Sequence, residues 1–264
     1  METASLHTDG AEIVYEFEGA GPLLLMVAGR GGTAGRYAGV STRLSDAYTV
    51  VRYDRRCCGR SSGDKARPMD VMQQARDALA IVHALGQTRT YVFGNSAGAS
   101  IALRFAEYFP EAVLGVVAHE PMTVAILPDR EEWVEFNRRV EQAYRTEGIP
   151  AAMKLLATSM VGMKPPPGAP PRPGPEDDMN FFFDSEFMSL CYYRPDLDRI
   201  KRSGVPLIAS KGQLSADAYY ARTADVVGER VGCPVRTMAG NHIAHVSDPE
   251  RFATELRSAL AEFA

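Results

Sequence analysis

The chain has 264 residues, of which 45% are hydrophobic and 23% are charged, and its net charge is −4 at neutral pH. This size and composition fit one large globular domain with an insertion. The acidic balance argues against nucleic acid or an anionic membrane as a partner. No apolar run approaches membrane-spanning length, and the first residues lack the features of a signal peptide, so we expect a cytoplasmic protein.

The cysteines follow no metal-ligand pattern, and in a reducing compartment we expect free thiols. They are Cys57, Cys58, Cys191 and Cys233. The adjacent pair fits two small, partly buried loop residues better than a vicinal disulfide or a second nucleophile. The sequence therefore implies neither a metal nor an organic cofactor.

Strands and helices alternate along most of the chain. A hairpin is predicted to open it, with strands at 4–8 and 11–18 joined at Asp9-Gly10. Further strands are predicted at 23–28, 48–54, 90–93, 112–119, 205–210 and 234–238. Helices are predicted at 34–47, 70–85, 99–109, 216–227 and 248–263. This alternation predicts right-handed crossovers and a mostly parallel sheet flanked by helices, an α/β fold.

The alternation pauses after Pro121. We predict a core formed by residues 1–121 and 199–264, and a helical cap or lid insertion over 122–198, with helices at 130–146 and 149–160. The proline-rich run Lys164–Pro175 is equally consistent with a passive linker and with a mobile lid. Five methionines fit either an adaptable apolar pocket or the small core of the insertion. They are Met153, Met160, Met163, Met179 and Met188.

The run Gly94-Asn95-Ser96-Ala97-Gly98 lies between a predicted strand and a predicted helix. A serine between two glycines in this context fits a nucleophile elbow, a turn so sharp that flanking side chains would collide with the next strand or helix. Ser96 is expected in a strained conformation at the positive end of the helix. An ordinary serine N-cap is the alternative, and we favour the nucleophile.

A serine hydroxyl needs a base, for which histidine is the usual residue. His7 in a strand and His83 in a helix are expected to be structural or solvated, and His119 ends a predicted strand. His242 lies in the loop Ala239–His245, between the last strand and the last helix. That loop is expected at the carboxyl edge of the sheet, where the elbow also lies.

The order of these features resembles the α/β-hydrolase superfamily over nearly the full chain. It has a glycine-rich loop after the third strand, an elbow after the fifth, a cap after the sixth and a histidine loop, 240–250, before the final helix. The resemblance implies the α/β-hydrolase fold and makes His242 the catalytic histidine. His245 then corresponds to a frequent, non-catalytic companion.

A carboxylate should orient the imidazole. In the commonest family pattern it follows the strand after the cap, where this chain has Ser215, with Asp217 nearby and expected in the first turn of a helix. A subset of the superfamily, including some haloalkane dehalogenases, takes the acid from the end of the sixth strand, where Glu120 lies. Because Glu120 precedes Pro121, we expect an extended backbone there.

We favour Glu120 as the acid and keep Asp217 as the alternative. The bland interpretation of Glu120 is an ion pair with an arginine at the mouth of the cap. The expected oxyanion-hole donors are the backbone N–H groups of Ala97 and of Arg30, with Gly31 as the second choice for the latter. The Arg30 side chain fits either a contact with a substrate carboxylate or simple solvation. The run Tyr53–Arg56 resembles a family loop, and we expect a structural role for it.

The sequence thus predicts a serine-nucleophile hydrolase that acts through an acyl-enzyme. Its expected partner is a small, mainly apolar carboxylic ester, lactone or thioester, and a homodimer is compatible with the sequence. A serine at the elbow argues against a dehalogenase, since those enzymes use aspartate there. Two alternatives remain, because fold and triad do not fix the reaction. One is a lyase, cyclase or cofactor-free perhydrolase, and the other is a ligand-binding receptor.

Overall fold

The computed structural model describes residues 1–163 and 176–263. Within these residues, eight strands form one sheet in the order β1-β2-β4-β3-β5-β6-β7-β8. The strands are β1 Glu2–Thr8, β2 Ala11–Glu18, β3 Leu23–Val27, β4 Thr49–Tyr53, β5 Thr90–Asn95, β6 Val113–His119, β7 Leu207–Gly212 and β8 Val235–Met238. The pairs β1–β2 and β2–β4 are antiparallel, and all other pairs are parallel. The predicted α/β-hydrolase fold class is confirmed.

The helices cover both faces of the sheet. They are α1 Ala38–Leu44, α2 Val71–Ala84, α3 Ala97–Tyr108, α4 Arg130–Glu147, α5 Ile149–Ala157, α6 Glu176–Phe181, α7 Phe187–Tyr192, α8 Leu197–Ser203, α9 Tyr219–Val231, α10 Ala244–Ser247 and α11 Pro249–Leu260. Helix α1 packs on α11, whereas α2, α3, α8 and α9 pack side by side. No helix of the described residues is both long and apolar enough to span a membrane.

The central strand β3 shows why continuous apolar runs form this sheet. Leu23, Leu25 and Val27 face one core cluster, and Leu24 and Met26 face the other. Side chains of a strand alternate between its two faces, so a strand covered on both faces must be apolar throughout. The opening hairpin also forms as predicted, with both turn residues, Asp9 and Gly10, at positive φ.

Helices occupy the described part of the chain between β6 and β7. Helices α4 and α5 lie near their predicted bounds, whereas α7 and a π-helical turn at Phe182–Glu186 were not predicted. Helix α8 crosses the predicted boundary at 198/199 and packs on α3 and α9. The division into core and cap stays a prediction. The proline-rich run Lys164–Pro175 lies outside the described residues.

Both elbow glycines are required by close backbone contacts. A Cβ added at Gly94 would lie 2.2 Å from the carbonyl oxygen of Gly98. A Cβ added at Gly98 would lie 1.9 Å from the carbonyl oxygen of Val27 in β3. Real Cβ atoms do not approach backbone so closely, so the elbow depends on glycine at both positions.

Replacement of Gly98 by alanine should therefore destabilise the chain strongly. We expect Gly98→Ala to lower the free energy of unfolding by about 3 kcal/mol or more, because strand β3 would have to move away from α3. Chemical denaturation measures this loss. Gly35→Ala is the matched control, since a Cβ at Gly35 meets no atom within 4 Å. Equal stability of the two variants would contradict the steric argument.

Candidate active site

Ser96 occupies the turn between β5 and α3. Its φ of 57° and ψ of −121° are unusual for a residue with a side chain, as expected for an elbow. Its backbone N–H donates to the carbonyl of His119 (3.0 Å), and its carbonyl accepts from the N–H of Met122 (3.2 Å). Ala97 is the first residue of α3, so its N–H has no acceptor within the helix.

Glu120 and His242 form a buried pair. The Nδ1 atom of His242 lies 2.7 Å from Oε2 of Glu120, and the backbone N–H of Gly212 donates to Oε1 (2.7 Å). Burial opposes ionisation of Glu120, but the hydrogen bond from His242 and the nearby His119 ring hold its pKa down at about 2. The carboxylate is therefore ionised at neutral pH and accepts the Nδ1 proton, so Nε2 of neutral His242 is the acceptor nitrogen.

The expectation of an extended backbone at Glu120 is wrong. Its φ is +49°, in the left-handed region. This conformation costs on the order of 1–3 kcal/mol and persists only where surrounding contacts impose it. Here the backbone N–H of Glu120 donates to the carbonyl of Ser210 (2.9 Å), and the carboxylate is held by Gly212 and His242.

Asp217, the alternative acid, lies elsewhere. It is exposed and sits in the turn before α9, which begins at Tyr219, rather than in the first helical turn. Ser215, which stands where the commonest family pattern has an aspartate, is fully buried. Its hydroxyl is near enough to contribute to the lowered pKa of Glu120. The structure thus brings Glu120, not Asp217, to His242.

His245 is buried among aromatic rings. Tyr37 and Phe252 lie 5.1 Å and 5.8 Å from it, centroid to centroid. Neither of its ring nitrogens has a hydrogen-bond partner among the described residues, and burial lowers its pKa well below the usual value. His245 therefore behaves as an uncharged aromatic side chain. His7 and His83 are exposed.

The ring of His119 lies next to the carboxylate of Glu120. Its Nδ1 lies 3.0 Å from Oγ of Ser210, and its Nε2 lies 3.9 Å from Oε2 of Glu120. Complete burial lowers the pKa of His119 to about 4, so the ring is neutral at pH 7.

The loop after β3 forms a tight turn next to the elbow. The N–H of Gly32 donates to the carbonyl of Gly29 (3.0 Å), and Gly31 at the third position has φ 81°. This geometry matches a type II turn, which needs glycine there and whose own hydrogen bond uses neither the N–H of Arg30 nor that of Gly31. A Cβ at Gly29 would lie 3.1 Å from Cβ of Ser96, so the turn and Ser96 are in close contact.

Arg55 holds this turn in place, a role that the sequence did not reveal. Its Nη2 donates to the carbonyl of Gly29 (3.0 Å), and its backbone N–H donates to the carbonyl of Gly32 (2.7 Å). The same guanidinium forms a fully buried, two-pronged ion pair with Glu186, with Nη2 3.1 Å from Oε2. Burial would lower the pKa of Arg55, but Glu186 raises it. From the sequence, only a structural role was expected for the run Tyr53–Arg56, without the partners of Arg55.

Contacts from three elements hold the histidine loop. Nδ2 of Asn95, inside the elbow, donates to the carbonyl of His242 (2.9 Å). The ring of Tyr220 lies 4.5 Å from that of His242, and its hydroxyl exchanges hydrogen bonds with the backbone of Val161 (2.8 and 3.1 Å). Nδ2 of Asn241 donates to the carbonyl of Gly162 (2.8 Å). The loop is thus tied both to the elbow and to the end of the helical region after α5.

Ser96 and His242 line a cavity of about 400 Å³. Its other lining residues are mostly apolar and include two arginines: Arg30, Arg36, Asn95, Met122, Met153, Leu156, Ala157, Met160, Met163, Phe182, Tyr219 and Ile243. Three of the five methionines singled out in the sequence therefore line the cavity. In the described parts of the chain, no cluster of three or more His, Cys, Asp or Glu side chains could hold a metal ion.

Because the Arg55–Glu186 pair is buried, replacing one partner should lower the free energy of unfolding much more than replacing both. Arg55→Met leaves the Glu186 carboxylate buried without its cation and should lower the free energy of unfolding by about 3–5 kcal/mol. Arg55→Met/Glu186→Met should recover much of that loss, because no uncompensated charge remains. Urea denaturation of the three proteins gives the comparison.

Arg145→Met is the control, since the pair of Arg145 with Glu141 is exposed and should contribute little. If Arg55→Met were no less stable than Arg145→Met, the structural role of the pair would be wrong.

Because buried His119 is neutral in the folded chain, we predict that the free energy of unfolding falls at acidic pH. Its pKa is about 4 in the folded chain against a reference value of 6.5, so unfolding takes up a proton between these values. This part of the stability is complete above pH 6.5 and is lost as the pH falls toward 4. His119→Asn, which keeps a polar partner for Ser210, should reduce the loss by roughly 3 kcal/mol.

Urea unfolding at several pH values across this range measures the slope of stability against pH. The variant His83→Asn, on an exposed helix position, should follow the wild type. Parallel curves for His119→Asn and the wild type would contradict the assignment.

Comparisons with known proteins agree with this architecture. The family model described as alpha/beta hydrolase fold matches residues 22–185. A curated relative, "Uncharacterized hydrolase YraK" of Bacillus subtilis (strain 168), is 26% identical over 98% of this chain and 96% of its own length.

Two solved structures share the fold. A thermophilic esterase from Thermogutta terrifontis superposes with a TM-score of 0.78 at 18% identity, covering 100% of this chain and 99% of its own. The enol-lactonase from Burkholderia xenovorans LB400 superposes with a TM-score of 0.74 at 16% identity, covering 98% and 100%. At these identities the two structures show the fold alone.

Proposed function

Because the chain belongs to the α/β-hydrolase family, we propose that it is a serine hydrolase with Ser96 as nucleophile, His242 as base and Glu120 as the orienting acid. The substrate class is a carboxylic ester, lactone or thioester of a small, mainly apolar molecule. The observation that carries the proposal is the buried 2.7 Å contact between His242 and Glu120, in a loop that Asn95, the residue before the strained Ser96, holds by a hydrogen bond.

In the proposed reaction, Nε2 of His242 takes the proton of the Ser96 hydroxyl as the oxygen attacks the substrate carbonyl carbon. The ionised Glu120 carboxylate orients the ring through Nδ1 and stabilises the imidazolium that forms. The imidazolium then protonates the leaving oxygen or sulfur. Water, activated by the same nitrogen, releases the acid and restores Ser96.

The developing oxyanion needs preorganised donors. We assign these to the backbone N–H groups of Ala97 and Arg30. The N–H of Ala97 opens α3 and has no helical acceptor, and the N–H of Arg30 is not used by the turn at Gly29–Gly32. The contact between Gly29 and Ser96 keeps the two donors close to the nucleophile.

The cavity and the relatives' names support the substrate class. The cavity of about 400 Å³ suits a small molecule, and its methionine and aromatic lining favours apolar groups. One relative is named a hydrolase, and the two structural neighbours are named an esterase and an enol-lactonase. These names favour acyl transfer to water over the lyase, cyclase and perhydrolase alternatives.

A fluorophosphonate probe tests the nucleophile directly. We expect a covalent adduct at Ser96, located by peptide mass spectrometry, and its loss in His242→Ala. Multiple turnovers on short p-nitrophenyl esters should accompany labelling. Labelling without turnover would favour the receptor alternative. Turnover that survives Ser96→Ala would contradict the proposed nucleophile.

If Glu120 is the acid, two conservative replacements should have very different effects on kcat. Glu120→Gln should lower kcat on the order of thousands-fold, because the amide cannot stabilise the imidazolium and favours the wrong tautomer. Asp217→Asn should leave kcat close to that of the wild type, because Asp217 is exposed and the carboxylate that contacts His242 is that of Glu120. Steady-state kinetics on one p-nitrophenyl ester measures both. Collapse in Asp217→Asn with retention in Glu120→Gln would reverse the assignment.

A further inference from the structure

The cavity beside Ser96 and His242 contains an arginine side chain, Arg30, that no described carboxylate neutralises. Arg30 lines the cavity beside Ser96 and His242, and its guanidinium contacts two methionine sulfurs and an aromatic ring. Its Nη1 lies 3.0 Å from Sδ of Met153 and 3.9 Å from Sδ of Met179. Its Cζ lies 5.9 Å from the centroid of the Phe182 ring.

These contacts are weak compared with what arginines in this chain obtain elsewhere. Arg55, Arg56 and Arg60 each form an ion pair with a carboxylate. Across the side chains that the structure describes, no carboxylate pairs with Arg30. Thioether sulfur is a poor hydrogen-bond acceptor. A cation 5.9 Å from a ring centroid lies near the outer limit of the cation–π interaction and gains little from it.

The Arg30 side chain is nevertheless charged. Burial and the neighbouring Arg36 lower its pKa to about 10, which leaves it protonated at neutral pH. A cation that is partly withdrawn from water gains from a nearby anion, and a planar guanidinium binds a carboxylate through two parallel hydrogen bonds. An anion entering the cavity would therefore gain more at Arg30 than at any uncharged part of the lining.

We infer that the substrate carries a carboxylate in addition to its reacting carbonyl, and that the Arg30 side chain binds this carboxylate. The inference rests on the proposed function for the location of the reacting carbonyl. The backbone N–H of Arg30 is the assigned oxyanion donor, so one residue would contact both ends of the substrate. The two groups must then lie within one arginine side-chain length, as in the half-ester of a short dicarboxylic acid.

Binding to the Ser96→Ala protein tests the inference without turnover. Monomethyl glutarate carries the carboxylate, and dimethyl glutarate is its neutral counterpart. By calorimetric titration we expect the half-ester to bind about 10- to 100-fold more tightly, the range of a charge-assisted pair. The additional change Arg30→Met should abolish that preference, and Arg30→Lys should retain part of it.

Arg139→Met in the same Ser96→Ala background is the matched control. Arg139 also lies over a phenylalanine ring, 5.6 Å from the Phe136 centroid, but it is exposed and outside the cavity. Its loss removes the same charge and should leave the preference intact. Equal binding of the two glutarates, or a preference that survives Arg30→Met, would overturn the inference.

Turnover gives a second, separable measurement. In the protein with Ser96 intact, the ratio of kcat/KM for mono-p-nitrophenyl glutarate to that for its methyl ester should fall about 10- to 100-fold in Arg30→Met. Any damage to the oxyanion site affects both esters and cancels in the ratio. Turnover of both esters with a ratio unchanged by Arg30→Met defeats this inference alone. Absence of turnover defeats the proposed function, while the binding preference still decides the role of Arg30.

Discussion

The carboxylate of Glu120 is the point on which the candidate site depends. One oxygen accepts from the backbone of β7 and the other from the histidine loop, while Glu120 itself directly follows β6. Three elements distant in sequence are thereby fixed to one another. The low pKa of Glu120 keeps the carboxylate an acceptor over the whole neutral range, which decides that Nδ1 of His242 carries the proton. The left-handed backbone of Glu120 is the local strain that this convergence requires.

A second constraint operates at the turn next to Ser96. The elbow glycines allow β3 and α3 to approach to backbone contact, so the turn after β3 lies against Ser96. Arg55 then fixes that turn and reaches through the core to Glu186 in the helical region. The turn that would supply an oxyanion donor and the helices that shape the cavity therefore share one buried ion pair. A buried ion pair of this kind fixes the relative positions of the turn and the helices, whereas its net contribution to stability can be small.

The fold could be predicted from the sequence because the sheet is covered on both faces, and its strands therefore stand out as apolar runs. Local signals located every strand of the described residues. They include continuous apolar runs, a turn with two positive-φ residues and a serine between glycines. The strand ends were less predictable. Strand β5 continues to Asn95 because that residue still pairs with His119 of β6, which depends on the neighbouring strand. Helix α7 lay in an aromatic-rich region without a clear helical period.

The geometry of the candidate site was harder to predict than the fold. The sequence pointed to the carboxylate that follows β6, and the structure places it 2.7 Å from His242, but the proline rule gave the wrong backbone conformation there. That rule describes a steric preference of the isolated dipeptide, and the hydrogen bonds of Ser210, Gly212 and His242 override it. Arg55 and Glu186 are separated by 131 positions, and Asn95 and His242 by 147. Contacts of this kind leave no periodic trace in a sequence.

The two parts of Arg30 show how such a fold separates chemistry from selectivity. Its backbone belongs to a glycine turn whose geometry is set by the core, and any residue other than proline at that position leaves the N–H in place. Its side chain extends among the methionines and Phe182 of the helical region, where the lining can adapt to different ligands. Reactivity can thus stay constant while the charge and shape of the cavity change, which is why the triad alone does not identify the substrate.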